Sequence, residues 1–344
     1  MEFDLTYSIS RGMYLLNGTR VLLFPRGSLE TIQDYVNGIL GLATKSLLRD
    51  AMQTAVFSLL TDFLKSGKLK KTSPEKMFVE IADLLSFIGF GKFKLMTRDF
   101  ASFDVIIESN SNSILRLIKP MNYCFLSEGV LNAISQAIFG KASTIEESAC
   151  RSAGDSDVDK FKATFTNQQA TFNYVSLGAY NIDPKDMEHI KFTFDGVSTM
   201  VNDIPVEIIP ITFLPYFFSR LRSIIGVSVY GLEYGMAEPL ARLFPAAQVF
   251  DIKSKYGLRG VEALSPVMGV GRVTTVLNEQ GNMSEIQVYD SFNALHVDNQ
   301  LEKRCSLLSG LLSFMSFKLA GYNMSLKESG CQAVNNTYCS FIFG

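Results

Sequence analysis

Alternation of apolar with polar residues predicts short paired strands at matching places in the two halves of the chain. In the first half the alternating positions are Phe93, Leu95, Val105 and Ile107. In the second half they are Val273, Thr275, Leu277, Ile286 and Val288. Because successive side chains of a strand point to opposite faces, this period of two indicates strands with one buried face.

Apolar residues at helical spacing predict helices that cover these strands. The most apolar of them runs from Ser306 to Tyr322 and is interrupted by Gly310 and Lys318. It therefore indicates a buried helix rather than a membrane span. Other predicted helices are those over 28–66 and 213–244, one from Ser73-Pro74 with a capping hydroxyl before the proline, and one after each of Cys124 and Cys305 that ends at Gly140 or Gly321. Hairpins are predicted to turn at Asn17-Gly18 and Asn202-Asp203.

The two halves repeat each other. Cys124 to Cys150 aligns without gaps with Cys305 to Cys331 at an offset of 181, and nine of the 27 positions are identical. The chain therefore reads as a tandem duplication of a mixed α/β unit, with antiparallel strands on one side and helices packed over them. We place the first unit at 1–165, a polar linker at 166–184 and the second unit at 185–344.

Composition narrows the functional classes. The 344 residues are 47% apolar, with a net charge of −2 and 27 phenylalanines, which favours folded domains over disorder and over general attraction to nucleic acid. The acidic start lacks a signal-peptide pattern, and the apolar stretch Ile204 to Phe218 contains Glu207 and three prolines. We therefore expect a soluble cytoplasmic protein.

No motif predicts catalysis. Gly89-Phe90-Gly91 and Gly269-Val270-Gly271 are followed by predicted strands, whereas a phosphate-binding loop needs a helix there, so these glycines indicate turns that enter strands. His189 and His296 do not correspond in the repeat, and neither lies beside a nucleophile pattern.

Cysteines supply the candidate chemistry. Cys305, Glu328, Cys331 and Cys339 offer three thiolates and one carboxylate, which suits a structural Zn²⁺ ion. We expect Glu328 and Cys331 to lie in a loop after the helix. The first unit repeats Cys124, Glu147 and Cys150, but Val158 stands at the fourth position. Asp157 and Asp159 flank that valine and are possible substitutes. The alternative is a set of buried free cysteines, which are common in intracellular proteins.

At these residues the sequence resembles a known family. The pattern C-x22-E-x2-C-x7-C after the GxG strand pair is similar to the 4-vinyl reductase domain, whose superfamily includes TRAPP vesicle-tethering subunits and haem nitric-oxide sensors. The cysteine and glutamate set also resembles that of phenol-responsive sensor domains. The resemblance covers the whole chain as two copies. It implies an NO-signalling/Golgi-transport-like ligand-binding fold, zinc on Cys305, Glu328, Cys331 and Cys339, an apolar pocket beneath the zinc loop, and dimerisation. No histidine corresponds to a haem ligand.

Three functions follow from the resemblance. The leading one is a non-enzymatic sensor or binding protein for a small hydrophobic or aromatic molecule, which passes its signal to a separate protein partner. The second is an assembly scaffold similar to TRAPP subunits, and the third is an accessory role in tetrapyrrole reduction. The resemblance also implies an intrachain pseudo-dimer of the two repeats, in contact through the helices after Pro25 and Pro210.

Overall fold

The chain folds into mixed α/β units with antiparallel sheets. The computed structural model describes residues 2–98, 102–108, 124–151, 156–166, 182–196, 198–244, 257–295, 305–320, 325–334 and 336–343. In chain order the elements are β1 Leu5–Ser8, β2 Met13–Leu16, β3 Thr19–Pro25, α1 Ser28–Leu40, α2 Thr44–Lys65, α3 Pro74–Phe87, β4 Lys92–Arg98, β5 Ser102–Glu108, α4 Phe125–Phe139, β6 Ser143–Ala149, β7 Asp159–Phe165, β8 Met187–His189, β9 Phe192–Phe194, β10 Thr199–Val201, β11 Ile204–Pro210, α5 Phe213–Ile225, α6 Val229–Arg242, α7 Leu264–Met268, β12 Arg272–Leu277, β13 Met283–Tyr289, α8 Ser306–Ala320, β14 Leu326–Gly330 and β15 Cys339–Phe343. His296, Gly321 and residues 167–181 of the predicted linker lie outside the described residues.

The first compact unit contains a four-stranded antiparallel sheet in the order β4-β5-β7-β6. Its inner face is apolar, because Phe103, Val105 and Ile107 of β5 alternate with half-buried residues. Helices α3 and α4 pack over this sheet, and α2 packs against α4. The strands predicted at Phe93 and Val105 are thereby confirmed.

The second compact unit repeats this arrangement. Its sheet has the order β12-β13-β15-β14, which is the same order of corresponding strands. Helix α8 packs over β14, and α6 packs against α8. The buried apolar side chains on this helix and sheet include Leu307, Leu311, Ile286, Val288 and Phe341. The predicted fold class is confirmed.

Local signals in the sequence are confirmed at several turns. Asn17 and Gly18 both have positive φ (49° and 86°), as the tight turn between β2 and β3 requires. Asn202 and Asp203 adopt the same conformation between β10 and β11. The Ser73 side chain accepts a hydrogen bond from the N–H of Lys76 and caps α3.

Both GxG sequences form turns that lead directly into strands. All four glycines have positive φ, from 73° at Gly269 to 120° at Gly271. Lys92 and Arg272, the residues that follow, are the first residues of β4 and β12. These glycines therefore allow the backbone to turn into a strand and do not form a phosphate-binding loop at a helix start.

The compact units are not contiguous in sequence. The first consists of Met1–Asp4, Phe24–Ala179 and Lys191–Phe213, and the second of Leu5–Leu23, Tyr180–Ile190 and Leu214–Gly344. The hairpin at the start of the first repeat thus belongs to the second unit, and the hairpin that opens the second repeat belongs to the first. Sequence repeats and compact units are different divisions of this chain, and the predicted pseudo-dimer contact stays a prediction.

Contacts inside the second unit anchor the N-terminal hairpin. The Tyr14 hydroxyl donates to the Pro266 carbonyl, and the Arg20 guanidinium donates to the Asp290 carbonyl. The backbone N–H of Gly271 donates to the Gly12 carbonyl at 3.0 Å. Since Arg20 is only 2% exposed, the Asp290 carbonyl replaces water as a partner for one donor of this buried guanidinium.

Contacts inside the first unit anchor the other hairpin. The fully buried Glu207 of β11 accepts hydrogen bonds from the N–H groups of Gly27 (2.9 Å) and Leu29 (3.0 Å) at the start of α1. Burial raises the pKa of Glu207 to about 7, while the N–H groups of Leu29 and Gly27 oppose that rise. The backbone N–H of Ile208 also donates to Ile88 at 2.9 Å. Glu207 therefore caps a helix that lies 180 residues earlier in the chain.

Among the described residues, no helix is both long and apolar enough to cross a membrane.

Candidate metal centres

Four buried or half-buried donors converge in the second unit. Cys305 lies directly before α8, Glu328 lies on β14, Cys331 follows that strand, and Cys339 opens β15. One ligand atom from each of the four lies within 4.8 Å of all the others. The residues predicted from the sequence spacing are thus brought together by one helix start and two neighbouring strands.

The location of Glu328 corrects one expectation. Glu328 lies on the edge strand β14 and not in a loop. The pairing of β14 with β15 shifts register between Glu328 and Gly330, which leaves Ser329 as a bulged residue. A bulge redirects the side chains around it, so Glu328 and Cys331 both reach the same point although they are three residues apart.

Sulfur atoms form the centre of this cluster. Cys305 Sγ lies 3.8 Å from Cys331 Sγ and 3.1 Å from Cys339 Sγ, and the Cys331–Cys339 separation is 3.9 Å. The backbone N–H of Cys305 donates to Glu328 Oε2 at 3.2 Å, and the N–H of Gln332 donates to Cys339 Sγ at 3.3 Å. All three cysteines are free thiols.

A corresponding cluster occupies the first unit. Cys124, Glu147, Cys150 and Asp159 also have ligand atoms within 4.8 Å of one another. Cys124 Sγ and Cys150 Sγ lie 3.7 Å apart. The same bulge recurs here, since the pairing of β6 with β7 shifts register between Glu147 and Ala149. The local backbone conformation that builds the two clusters is therefore the same in both units.

Strand register identifies Asp159 as the counterpart of Cys339. Asp159 pairs with Ile107 on β5, and Cys339 pairs with Val288 on β13, which are corresponding positions. The segment between Cys150 and β7 is one residue longer than its counterpart, which is why ungapped spacing pointed to Val158. Asp157 is exposed and lies outside the cluster.

Burial shifts the proton affinities of these groups. It raises the pKa of Glu328 and of Glu147 to about 8 in each case, and it raises the pKa of Cys305. Hydrogen bonding with Cys305 and, to a lesser extent, with Cys331 lowers the pKa of Cys339 to about 4. Four anionic groups this close would repel one another unless a cation lay between them. Either cluster could thus bind a metal ion.

Among the described residues, histidine, cysteine and carboxylate side chains outside the two clusters form no further group of three or more that could hold a metal ion. His189 is exposed on β8. All five cysteines of the chain belong to the two clusters. The sequence left Asp157 and Asp159 open as substitutes for Val158, and the structure brings Asp159 into the first cluster. A sequence signal that distinguishes them is the place of Asp159 two residues before Phe161, the counterpart of Phe341.

Comparisons with known proteins find distant structural similarities only. No protein-family model matches the chain, and no curated protein does. One similar solved structure is the phenol-responsive sensory domain of the transcription activator PoxR with phenol. It is 16% identical to this chain with a TM-score of 0.38, and the match covers 44% of this chain and 80% of that domain. Another is trafficking protein particle complex subunit 3 from Naegleria fowleri, covalently bound to palmitic acid. It is 13% identical to this chain with a TM-score of 0.31, and the match covers 42% of this chain and 98% of that subunit. Both TM-scores lie below 0.5, so the function proposed below rests on residues of this chain.

Two cavities are present in the described parts of the units. On the outer face of the first unit's sheet a cleft of about 400 Å³ is lined by Met96, Asp104, Ile106, Lys160 and Lys162, among others. In the second unit a cavity of about 10 Å³, the size of one water molecule, is lined by Pro215, Phe218, Arg222, Glu233 and Asn293. The pocket expected beneath the zinc loop stays a prediction.

Proposed function

We propose that this chain is a non-enzymatic binding protein of the 4-vinyl reductase type, in which a structural zinc ion stabilises the second unit. The observation that carries the proposal is the convergence of Cys305, Glu328, Cys331 and Cys339 on one point. Four protein ligands leave no open position for a substrate or a water, so such an ion supplies structure and not catalysis.

Sulfur separations support zinc as the ion. Tetrahedral coordination with Zn–S bonds of about 2.3 Å places neighbouring sulfurs about 3.8 Å apart. The Cys305–Cys331 and Cys331–Cys339 separations of 3.8 and 3.9 Å agree with this value, whereas Cys305 and Cys339 at 3.1 Å would have to separate slightly. Three soft thiolates select zinc over calcium or magnesium.

Replacing Cys339 with serine is expected to lower zinc content and thermal stability together. Cys339 joins β15 to the other ligands, and binding of a structural ion contributes directly to folding free energy, with apparent values of roughly 10 kcal/mol for intact zinc-finger sites. Elemental analysis and differential scanning calorimetry on one preparation measure both effects. Ile342→Ala, an exposed position further along β15, is the control. Zinc retained in full by Cys339→Ser would contradict the assignment.

A small hydrophobic or aromatic molecule is the proposed ligand. Support comes from the cleft on the first unit's sheet, whose volume of about 400 Å³ lies within the range of ligand sites and which combines Met96 and Ile106 with lysines and carboxylates. Thermal-shift and native mass-spectrometry measurements with phenol and with palmitic acid test the proposal. Stabilisation that Ile106→Glu abolishes would support it, and no binding of either probe would overturn it.

An assembly scaffold is the second candidate, and exposed apolar residues favour it. Ile39 at the end of α1 and Ile224 at the end of α5 hold corresponding positions and are 55% and 64% exposed. Val227, just beyond α5, is 78% exposed. Contiguous exposed apolar surface marks protein contact sites, and the repetition of an exposed isoleucine at the same helix end in both repeats is the observation that favours such a contact here. A stable partner in pull-downs that is lost on Ile39→Asp with Ile224→Asp, together with no ligand binding, would favour this function.

A further inference from the structure

We propose that the first unit holds a second metal ion on Cys124, Glu147, Cys150 and Asp159, in a harder and more easily emptied site than that of the second unit. The proposal goes beyond the function above, which places zinc in the second unit alone. It predicts two ions per chain at sites with different donor sets.

Equivalent backbone positions supply the first argument. In both units the donors are the residue before a long helix, a glutamate beside a bulge on an edge strand, the cysteine after that strand, and the first residue of the next strand. The Cys124–Cys150 separation of 3.7 Å equals that of Cys305 and Cys331 within 0.1 Å. The framework that assembles the second cluster is therefore intact in the first.

Hydrogen bonding around the fourth ligand supplies the second argument. The backbone N–H of Arg151 donates to Asp159 Oδ1 at 2.7 Å, and the corresponding N–H of Gln332 donates to Cys339 Sγ at 3.3 Å. Partners of this kind orient metal ligands. Asp159 has no exposed surface, so its carboxylate lies inside the unit beside two thiols and Glu147. Burial of a carboxylate beside two thiols and a second carboxylate costs less free energy when a cation neutralises its charge.

Donor chemistry distinguishes the two sites. The second unit offers three thiolates and one carboxylate, and the first offers two of each. Thiolates favour thiophilic ions, whereas carboxylates favour harder ones. The first site should accept zinc, cobalt(II) or iron(II), should discriminate less in favour of cadmium, and should lose its ion first to a chelator.

The proposal of a second metal site is tested by measuring the metal content of the full chain and of variants in which the fourth ligand is removed or exchanged between the two units. Two zinc ions per chain are expected, and Asp159→Ala should leave one, while Asp157→Ala, the exposed neighbour, should keep both. X-ray absorption at the zinc edge should give about 2.5 sulfur neighbours per ion in the wild-type chain, because five thiolates serve two ions. Asp159→Cys should make the first site as resistant to chelator as the second, and Cys339→Asp should make the second as labile as the first.

The outcomes separate the two proposals. One zinc per chain, lost on Cys339→Ser and unaffected by Asp159→Ala, would leave the proposed function standing and overturn the first-unit site. No zinc in either unit would overturn both. Two ions with identical chelator sensitivity would overturn the claim that the donor sets differ in affinity. The sulfur count needs no variant, so a misfolded substitution does not affect it.

Discussion

Expressed separately, residues 1–184 and 185–344 are each expected to remain unfolded, although each contains a complete sequence repeat. The first half lacks Lys191–Phe213, which contributes β9 to β11 and the Glu207 cap of α1 to the first unit. The second half lacks Leu5–Leu23, which contributes the N-terminal hairpin to the second unit.

The size of the effect follows from what the N-terminal hairpin buries. Its buried apolar side chains are Leu5, Tyr7, Met13, Tyr14, Leu15, Leu16, Val21, Leu22 and Leu23. Burial of one large apolar side chain contributes about 1.5–3 kcal/mol. Their combined contribution of roughly 14–27 kcal/mol is as large as or larger than the ~5–15 kcal/mol by which a native domain is typically stable. Far-UV circular dichroism and chemical denaturation of each half measure the result.

Co-expression of the two halves is the control, because together they contain every segment of both compact units. A folded, co-purifying pair is expected, with cooperative unfolding close to that of the intact chain. If either half alone gives a folded monomer with a cooperative transition, the hairpin that each compact unit takes from the other sequence repeat is not needed for its stability.

Alanine at Gly129 or Gly310 is the second change expected to have a large effect. A β-carbon on Gly129 of α4 would lie 2.3 Å from the Arg49 carbonyl oxygen of α2, and one on Gly310 of α8 would lie 2.6 Å from Ala237 and Tyr234 of α6. The helices would have to move apart. Overpacking of this kind destabilises by about 1–3 kcal/mol, which outweighs the gain of up to about 1 kcal/mol in helix propensity.

Two other helical glycines provide matched controls. Gly38 of α1 and Gly231 of α6 have nothing within 4 Å of an added β-carbon. Alanine at either position is expected to stabilise the protein by up to about 1 kcal/mol. Thermal unfolding of all four variants gives the comparison. A melting temperature that rises for Gly310→Ala as it does for Gly231→Ala would contradict the close helix approach.

Local patterns in the sequence determined much of the fold. Alternation at Phe93 and Val105 predicted strands, Asn17-Gly18 predicted a hairpin, and Ser73-Pro74 predicted a helix start; each depends on a few neighbouring residues, and each is confirmed. Duplication then identified three donors in each unit, because Cys, Glu and Cys recur at identical spacing.

Features that depend on strand pairing needed the tertiary structure. The edge strands that carry Glu147 and Glu328 are polar, with sequences STIEESA and LKESG, so apolar alternation did not reveal them. The sequence offered both Asp157 and Asp159 as fourth donors beside Val158, and only the register of β7 on β5 selected Asp159. A one-residue slip reverses which face a side chain occupies, and no spacing along the chain reports it.

Long-range placement was also decided by tertiary structure. The turn at Asn17-Gly18 specifies a hairpin but not the unit on which that hairpin packs. Glu207 stood in the sequence as a charge within an apolar stretch, and only folding brings it to the N–H groups of Gly27 and Leu29. The physical reason is common to both cases: turn and strand preferences act over a few residues, whereas burial and hydrogen-bond satisfaction depend on groups that the fold brings together from distant positions.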